Sequence, residues 1–364
     1  MIRDLTDVRA EAVMQRHATY WQNGEWYRPL FRISQAQTLG DTPNPHYLEP
    51  PPPLDAKSFR DGIERSYDSD GLLSDDLIRM VGTGITSEAL VVDRVAIRAG
   101  TSWAEPCFRD WHQFDNYKVK DTIWFQRLMD NTKRAVDAVD TNKYPFSCMA
   151  FRGPVDMAEA VMKGERLCAA VIDHPNELKN MLARITDIII ETGLAHSELL
   201  PSYKGGYFNS YGLWTPGRTI TLTFDGGCLF SPACYEEFFL PQDIRICEAF
   251  DTPFVHLHAA SRQHFLAWRD IPNLGLQCVI DQAWLPENVN QPIGPQLEEL
   301  LPLFKKIREK KSLMLYGFFD EKLLELALKE LPPGGSAITG LVEEPDAIRQ
   351  KYVKRENQFG IKES

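Results

Sequence analysis

Two histidines, His256 and His258, stand two residues apart in the segment TPFVHLHAASRQHF, residues 252–265. Alternate side chains of a β-strand point to the same face, so a strand here would present both imidazoles together. Imidazole is a common ligand of divalent metals and exchanges protons near neutral pH. The spacing leaves three roles open: a metal site, a metal-free catalytic or substrate-binding pair, or polar groups that only support the structure.

Further polar side chains stand at the ends of neighbouring apolar runs. TITLTFD ends in Asp225, FSCMAFR ends in Arg152 before a Gly-Pro pair, and LGLQCVID contains Gln277. The apolar residues of these runs alternate with the polar ones, so the apolar set packs outwards while Asp225 and Gln277 point inwards. The sequence therefore predicts that these residues converge with His256 and His258.

An aspartate beside two imidazoles can bind a divalent metal, or it can orient one imidazole as a general acid or base. We therefore expect a reaction centre made of His256, His258 and Asp225, the same three residues being the candidate metal ligands. Asp281 is an alternative carboxylate. Four further residues are expected to contact the substrate: Arg152, which would bind an anionic part of it, Gln277, which would orient it, Trp103 and Tyr316.

Apolar runs that alternate with amphipathic helical segments must position these residues. Eight such runs are typical of strands, at 28–34, 90–97, 146–152, 219–225, 252–259, 274–280, 312–318 and 336–341. Eight strands alternating with helices predict a single (β/α)8 TIM barrel, an α/β fold with active sites at the carboxyl ends of its strands. The run 207–214 predicts an additional strand, and the short connection after it predicts an inserted antiparallel hairpin with 219–225.

The barrel is expected to occupy most of the chain. We expect residues 85–356 to form the barrel domain, after an N-terminal helical and loop extension, residues 1–84, that contains the first barrel strand. TPNPHYLEPPPPL, residues 42–54, is rich in prolines that lack the backbone donor, so an ordered loop is expected there. Residues 357–364 are expected to form a tail.

Composition restricts the class of protein. The 364 residues carry a net charge of −11 and 43% of them are hydrophobic, which predicts a globular protein with a sizeable core. The negative charge argues against nucleic acid and anionic membrane surfaces as partners. We expect no transmembrane helix, because no run is apolar enough, and no signal peptide. Seven cysteines without a CxxC spacing then predict reduced thiols and a cytoplasmic protein.

Four segments carry a resemblance to a known superfamily: FRGPVDMAEAVMKGERLCAAVIDHPNELKNMLARIT, FDGGCLFSPACYEEFFLPQ, FVHLHAAS and IPNLGLQCVIDQ. With their spacing, they resemble the uroporphyrinogen decarboxylase superfamily over about residues 85–352. That superfamily includes corrinoid-dependent methyltransferases and is related to cobalamin-independent methionine synthase. The resemblance implies a (β/α)8 barrel, in agreement with the strand pattern.

The chain departs from the superfamily's motifs at positions that bear on activity. True decarboxylases carry Arg-Gln-Ala-Gly-Arg to hold substrate carboxylates, and the matching stretch here, SQAQT at 34–38, lacks both arginines. The corrinoid methyltransferases bind zinc through His-x-Cys and a later Cys. His256 matches their histidine, whereas His258 and Thr339 stand where the two cysteines would be. A His/His/carboxylate site is then expected in place of a thiolate-rich one.

One branch of the superfamily is closer in sequence. It carries Leu-Trp-x-Pro-Gly-Arg before the strand that ends in Asp, here LWTPGR at 213–218. Members of that branch usually have His-Leu-Asp where this chain has His256-Leu257-His258. Trp103 matches an aromatic residue of the branch, which implies that it lines the cavity.

The leading hypothesis is an enzyme that transfers a methyl group from a small-molecule substrate to a corrinoid protein or similar acceptor, with zinc or another divalent metal at the histidines. One alternative is a decarboxylase, a carbon–carbon lyase acting on a small acid or porphyrin-type substrate. Another is a non-catalytic barrel that binds a tetrapyrrole or corrinoid. The resemblance also implies a homodimer.

Overall fold

The structure is a computed structural model that describes residues 2–35, 46–98, 101–280 and 294–353. Fourteen strands are present in this part of the chain: β1 (Leu30–Gln35), β2 (His46–Tyr47), β3 (Leu73–Ser74), β4 (Leu77–Ile78), β5 (Val95–Arg98), β6 (Thr101–Ala104), β7 (Ala150–Arg152), β8 (Tyr207–Phe208), β9 (Trp214–Thr215), β10 (Thr221–Phe224), β11 (Phe254–His258), β12 (Gly275–Val279), β13 (Leu313–Phe318) and β14 (Ser336–Val342). Seven of them form a parallel sheet in the order β1–β14–β13–β12–β11–β10–β7. With the first strand beside the last, the sheet has the TIM-barrel-like α/β architecture that the sequence predicts.

The same ranges contain twelve α-helices, several of which pack against the barrel strands. They are α1 (Ile2–Trp21), α2 (Ala56–Asp70), α3 (Ile123–Ala138), α4 (Pro154–Met162), α5 (Gly164–Asp173), α6 (Pro175–Leu199), α7 (Pro232–Phe238), α8 (Leu240–Glu248), α9 (Phe265–Arg269), α10 (Leu297–Arg308), α11 (Glu321–Glu330) and α12 (Pro345–Ile348). None of these is long and apolar enough to cross a lipid bilayer. The predicted outward residues of β10 to β12 are fully buried in one large apolar core, so the inside–outside alternation is confirmed: Leu222, Phe224, Val255, Leu257, Leu276 and Cys278.

The barrel closes between β1 and β7 without a regular eighth strand. The segment around β4 lies there instead, since the backbone N–H of Asp76 donates to the carbonyl of Phe31 at 2.8 Å. Farther along, Val81 forms a parallel bridge with Phe146, just ahead of β7. Within the described ranges, the central sheet therefore has seven strands and one irregular connection.

The prediction of a barrel strand at 90–97 is wrong. Within that run, β5 pairs antiparallel with β2 and β6 in a separate three-stranded sheet. Only two residues separate β5 from β6, a length suited to a hairpin and far too short for a parallel crossover. A strand that pairs with its neighbour in sequence in this way is diverted from the barrel.

The run 207–214 does not form the predicted hairpin with 219–225. β8 pairs antiparallel with β9 inside the first run, and β10 pairs with β7 and β11. The side chain of Asn209 is responsible, because its Oδ1 accepts from the backbone N–H groups of Tyr211 and Leu213 at 3.0 and 3.1 Å. An asparagine that accepts from residues just ahead of it forms a local turn, and this turn folds the run back on itself.

Three sequence predictions fall partly or wholly outside the described residues. Only positions 46–54 of the proline-rich loop are described; they run from β2 to Asp55, whose carboxylate caps α2 by accepting from the Ser58 N–H. The candidate carboxylate Asp281 and the predicted tail, 357–364, lie outside the described part of the chain.

A buried ion cluster ties α1 to the closing segment of the barrel. The carboxylate of Asp76 contacts the guanidinium groups of Arg16, at 2.5 Å, and Arg28, and it accepts from the Phe31 N–H at 2.8 Å. Burial alone would raise the pKa of Asp76, but the two arginines and the backbone donor outweigh it, and the pKa lies below its ordinary value. The carboxylate therefore stays ionised although it is 3% exposed.

We predict that Asp76→Ala lowers the free energy of unfolding by about 3–5 kcal/mol, because it leaves two buried guanidinium groups without their shared anion. Chemical denaturation at pH 7 measures this. Because the folded pKa is lowered, the stabilisation is complete at neutral pH and is lost as the pH falls below about 4. The control is Asp61→Ala, which breaks an exposed pair with Lys57 and should change stability far less. Equal effects of the two substitutions would contradict the role of the cluster.

Candidate functional site

The register of three strands brings the predicted residues to one level of the barrel. Thr223 on β10 stands beside His256 on β11, and His256 stands beside Gln277 on β12. Asp225 follows the last residue of β10, and His258 is the last residue of β11. The expected inward set thus lies at the carboxyl ends of the strands, where barrel active sites are found.

His256, His258 and Asp225 form a compact cluster. One potential ligand atom from each lies within 4.8 Å of the other two, and within the described part of the chain these three are the group with that geometry. The Nε2 atom of His258 is 3.6 Å from Oδ1 of Asp225, and the two imidazole centroids are 5.2 Å apart. Ligands 2.0–2.1 Å from a tetrahedral zinc ion lie about 3.3 Å apart, so small side-chain rotations would suffice for a shared ion.

The two carboxylate oxygens of Asp225 differ in their surroundings, in a side chain that is 38% exposed as a whole. Oδ1 is buried and, among the described residues, has no hydrogen-bond partner, whereas Oδ2 accepts from Arg152 at 2.9 Å. A buried carboxylate oxygen without a donor is unfavourable unless a cation or a proton reaches it. Two imidazoles and this oxygen form a donor set that suits zinc and related divalent ions.

The ring of His256 is held by two side chains. Its Nδ1 atom is 2.7 Å from the hydroxyl of Tyr211 and also contacts Oε1 of Gln277. An amide oxygen only accepts, so the contact with Gln277 requires a proton on Nδ1, and the lone pair of the neutral ring then lies on Nε2. Gln277 is fully buried, and its Nε2 is 2.9 Å from the Met314 sulfur.

Tyr211 is a site residue that the sequence did not reveal. Its ring lies parallel to that of His256, with centroids 5.8 Å apart and planes 3° apart. Burial raises the pKa of Tyr211 well above its usual value, with the charge of Asp225 adding to the effect, so the hydroxyl keeps its proton. The residue reaches the site because of the Asn209 turn, which no apolar alternation indicates.

Arg152 lies at the site but is engaged by protein acceptors. Its Nε donates to Glu88 at 2.5 Å, one terminal nitrogen donates to Asp225, and the other contacts the backbone and side-chain oxygens of Ser102. Glu88 is 3% exposed. Two carboxylates therefore balance this cation, and its predicted contact with a substrate anion stays a prediction.

A second buried carboxylate, Asp156, fixes the turn that carries Asp225. It accepts from the N–H groups of Asp225 at 3.0 Å and Gly226 at 2.7 Å, and from the Thr223 hydroxyl at 2.9 Å. Burial and the neighbouring charge of Asp225 raise the pKa of Asp156 to about 7, although the donors and Arg152 act in the opposite direction. Its one sequence signal is its place in FRGPVD, two residues after the proline that begins α4.

The two remaining predicted residues lie on different sides of the cluster. The ring of Tyr316, on β13, has its centroid 6.3 Å from that of His256. Trp103 lies on β6, outside the barrel sheet, with 56% of its surface exposed. It lines a cavity of about 350 Å³ that also includes Glu88 and Arg152 and so borders the cluster.

A larger cavity, of about 650 Å³, opens at the other end of the barrel. Its lining includes Thr252, Leu274 and Ser312, which precede or begin strands rather than end them. The residues that contact Asp225, namely Arg152 and Asp156, line the smaller cavity and are absent from the larger one. Size alone therefore does not identify the reactive end, and the side-chain chemistry points to the smaller cavity.

Comparisons with known proteins bear on the fold. No protein-family model matches the chain, and the comparison with curated proteins found no match. Among solved structures, a methyltransferase from Methanosarcina mazei superposes with a TM-score of 0.57 over 92% of this chain and 94% of that chain, at 11% sequence identity. A likeness at this identity establishes a shared fold, while function has to be argued from the site.

We predict that Asp156→Ala lowers the free energy of unfolding by about 2–4 kcal/mol, because buried N–H groups at the end of β10 lose their acceptor. The raised pKa adds a pH signature. The folded state holds its proton up to about pH 7 and the unfolded chain only to about 4, so Asp156 reduces stability as the pH rises between these values. Unfolding curves at several pH values should show a smaller decline in the variant. An unchanged slope would contradict this assignment.

Proposed function

We propose that the protein is a methyltransferase that moves a methyl group from a small oxygen- or nitrogen-methylated substrate to a corrinoid protein or a similar acceptor. The observation that carries the proposal is the convergence of His256, His258 and Asp225 at the carboxyl ends of β10 and β11. The shared fold with a methyltransferase supports the same class of reaction.

We further propose that the three residues hold zinc or another divalent ion. The buried Oδ1 of Asp225 and the Nδ1 contacts of His256 support this, since a ligating histidine usually donates its other N–H to an oxygen acceptor. A zinc ion held there would act as a Lewis acid on the oxygen or nitrogen of the methyl donor.

The chemistry explains why such a site is needed. In the transfer, the acceptor's electron pair forms a bond to the methyl carbon, and the pair of the broken bond stays on the substrate heteroatom. That atom gains negative charge, which has to be met by a Lewis acid or a proton. Gln277 and Tyr211 would hold the His256 ring in place, and Arg152 would hold Asp225. A cavity of about 350 Å³ suits a small donor.

The carboxy-lyase alternative lacks comparable support. It needs a cation that can meet a substrate carboxylate, and Arg152 is instead paired with Glu88 and Asp225. A metal-free version of methyl transfer, in which His258 protonates the leaving atom beside Asp225, makes a different prediction about chelators. Turnover in the presence of a chelator distinguishes metal-dependent from metal-free methyl transfer.

We predict that purified wild-type protein contains about one equivalent of a divalent metal and that His256→Ala loses it. Transfer from a panel of methoxylated and N-methylated donors to reduced cobalamin should fall about 100-fold or more in the variant, since the metal supplies several kcal/mol. Elemental analysis and the absorbance of methylcobalamin measure the two effects. His112→Ala, which changes an exposed histidine paired with Asp115, should change neither. Chelator-resistant turnover by metal-free wild type would refute the metal site.

We also predict that Gln277→Leu weakens metal affinity by about 10- to 100-fold, because it removes the acceptor that fixes the His256 ring. Competition with a chromophoric chelator measures the affinity. Cys278→Val, in the neighbouring outward position of β12, is the matched control and should leave the affinity unchanged. His258→Asp should retain the metal, because carboxylate can replace imidazole as a ligand. If Gln277→Leu bound metal like the wild type, the proposed orientation of His256 would be wrong.

A further inference from the structure

The 350 Å³ cavity beside the cluster has an unusual combination of an exposed indole and carboxylates. Trp103 is more than half exposed although it is a large aromatic residue on a short strand. Glu88, Asp156 and Glu159 also line the cavity, together with two cations, Arg152 and Lys163. The balance of charge therefore depends on where each cation is directed.

Neither cation is directed to the cavity alone. Arg152 is paired with Glu88 and with Asp225 at 2.5 and 2.9 Å. Lys163 is 69% exposed and lies 3.6 Å from the carboxylate of Glu165, which is itself 80% exposed. Both positive charges are thus offset by carboxylates, and Glu159 is the carboxylate of this lining that makes no direct ion pair with a described cation.

Glu159 supplies an anion at the boundary between the cavity and the cluster. No ion pair or hydrogen bond engages its carboxylate within the described residues. A Cβ atom built on Gly226 would come within 2.9 Å of its Oε2, so the carboxylate lies against the residue that follows Asp225. Burial raises the pKa of Glu159 and outweighs the opposing effect of the Arg152 charge, while no side-chain cation among the described residues makes a direct ion pair with its carboxylate.

We propose that this cavity binds an alkylated ammonium group, with Trp103 giving a cation–π contact and Glu159 the opposing charge. Aromatic faces and carboxylates together are the usual recognition chemistry for quaternary ammonium ions. The inference rests on the proposed function in one respect: the ammonium group is a recognition handle on the methyl donor, whose reacting oxygen or nitrogen lies at His256, His258 and Asp225. The substrate class is then a small methyl donor with a cationic end.

Three ligands of one shape test the charge requirement by isothermal titration calorimetry at low ionic strength. The cation is choline. The neutral ligand is 3,3-dimethylbutan-1-ol, in which a tert-butyl group replaces the trimethylammonium group, and the anion is 3,3-dimethylbutanoate. We expect choline to bind at least about 10-fold more tightly than the neutral alcohol, with no measurable binding of the anion. Equal binding of choline and the alcohol, or preferential binding of the anion, would overturn the proposal.

Substitutions of cavity residues test whether choline binds in this cavity. Trp103→Leu should weaken choline binding by about 2- to 30-fold, Trp103→Phe should weaken it less, and Glu159→Gln should weaken it several-fold. The matched control is Glu64→Gln, which makes the same change at an exposed position on α2 and should bind like the wild type. Unchanged binding in both Trp103→Leu and Glu159→Gln would overturn the assignment to this cavity.

The binding test is separable from the test of methyl transfer. Titrations of His256→Ala and of chelator-treated protein with tetramethylammonium, which has no oxygen to reach the metal ligands, should give the wild-type affinity. Metal content of Trp103→Leu should in turn equal that of the wild type. If the protein binds choline through Trp103 but transfers no methyl group, the proposed function alone is refuted. If it transfers methyl groups but does not bind choline, the ammonium site alone is refuted.

Discussion

The site depends on a carboxylate that has cationic or polar partners on both sides. Asp225 receives a hydrogen bond from Arg152 on one oxygen and lies 3.6 Å from His258 on the other. Asp156 accepts hydrogen bonds from the backbone of the same turn, and the carboxylate of Glu88 offsets the positive charge of Arg152. The charges of Glu88, Arg152 and Asp225 alternate, so each reduces the electrostatic cost of burying the next. Asp156 contributes through its hydrogen bonds instead, because its charge repels that of Asp225.

The barrel strands supply the rigidity that this arrangement needs. Parallel pairing places His256 beside Thr223 and Gln277 on the neighbouring strands. The imidazole therefore contacts the side-chain amide of Gln277 through the strand register alone. The irregular parts of the fold lie elsewhere: at the closing segment held by Asp76 and in the outer hairpin that carries Trp103. The proposed metal ligands and Gln277 thus lie on or directly after strands, whereas Tyr211 comes from the Asn209 turn and the cavity wall is built on a short antiparallel ribbon.

Alternation of apolar and polar residues was sufficient to predict the barrel and the convergence of its inward residues. It succeeded at β10 to β12 because packing against helices forces one parity on each strand. It failed at 90–97, where a neighbouring segment offered a closer partner, and at 207–214, where a single Asn209 side chain set a turn. Contacts such as Tyr211 on His256 and Glu88 on Arg152 join residues more than 40 positions apart, and no local pattern encodes them.

In the proposed metal site, ligands other than thiolates would have a definite electrostatic consequence. In the corrinoid methyltransferases that the chain resembles, one histidine and two thiolates would leave a divalent ion formally neutral. Two neutral imidazoles and the Asp225 carboxylate would leave it with one positive charge. A more electrophilic ion withdraws electron density better from an oxygen or nitrogen bound to it, and it makes a bound thiol less nucleophilic. With a divalent ion bound as we propose, His258 in place of a cysteine would therefore favour activation of the methyl donor over activation of a thiol acceptor.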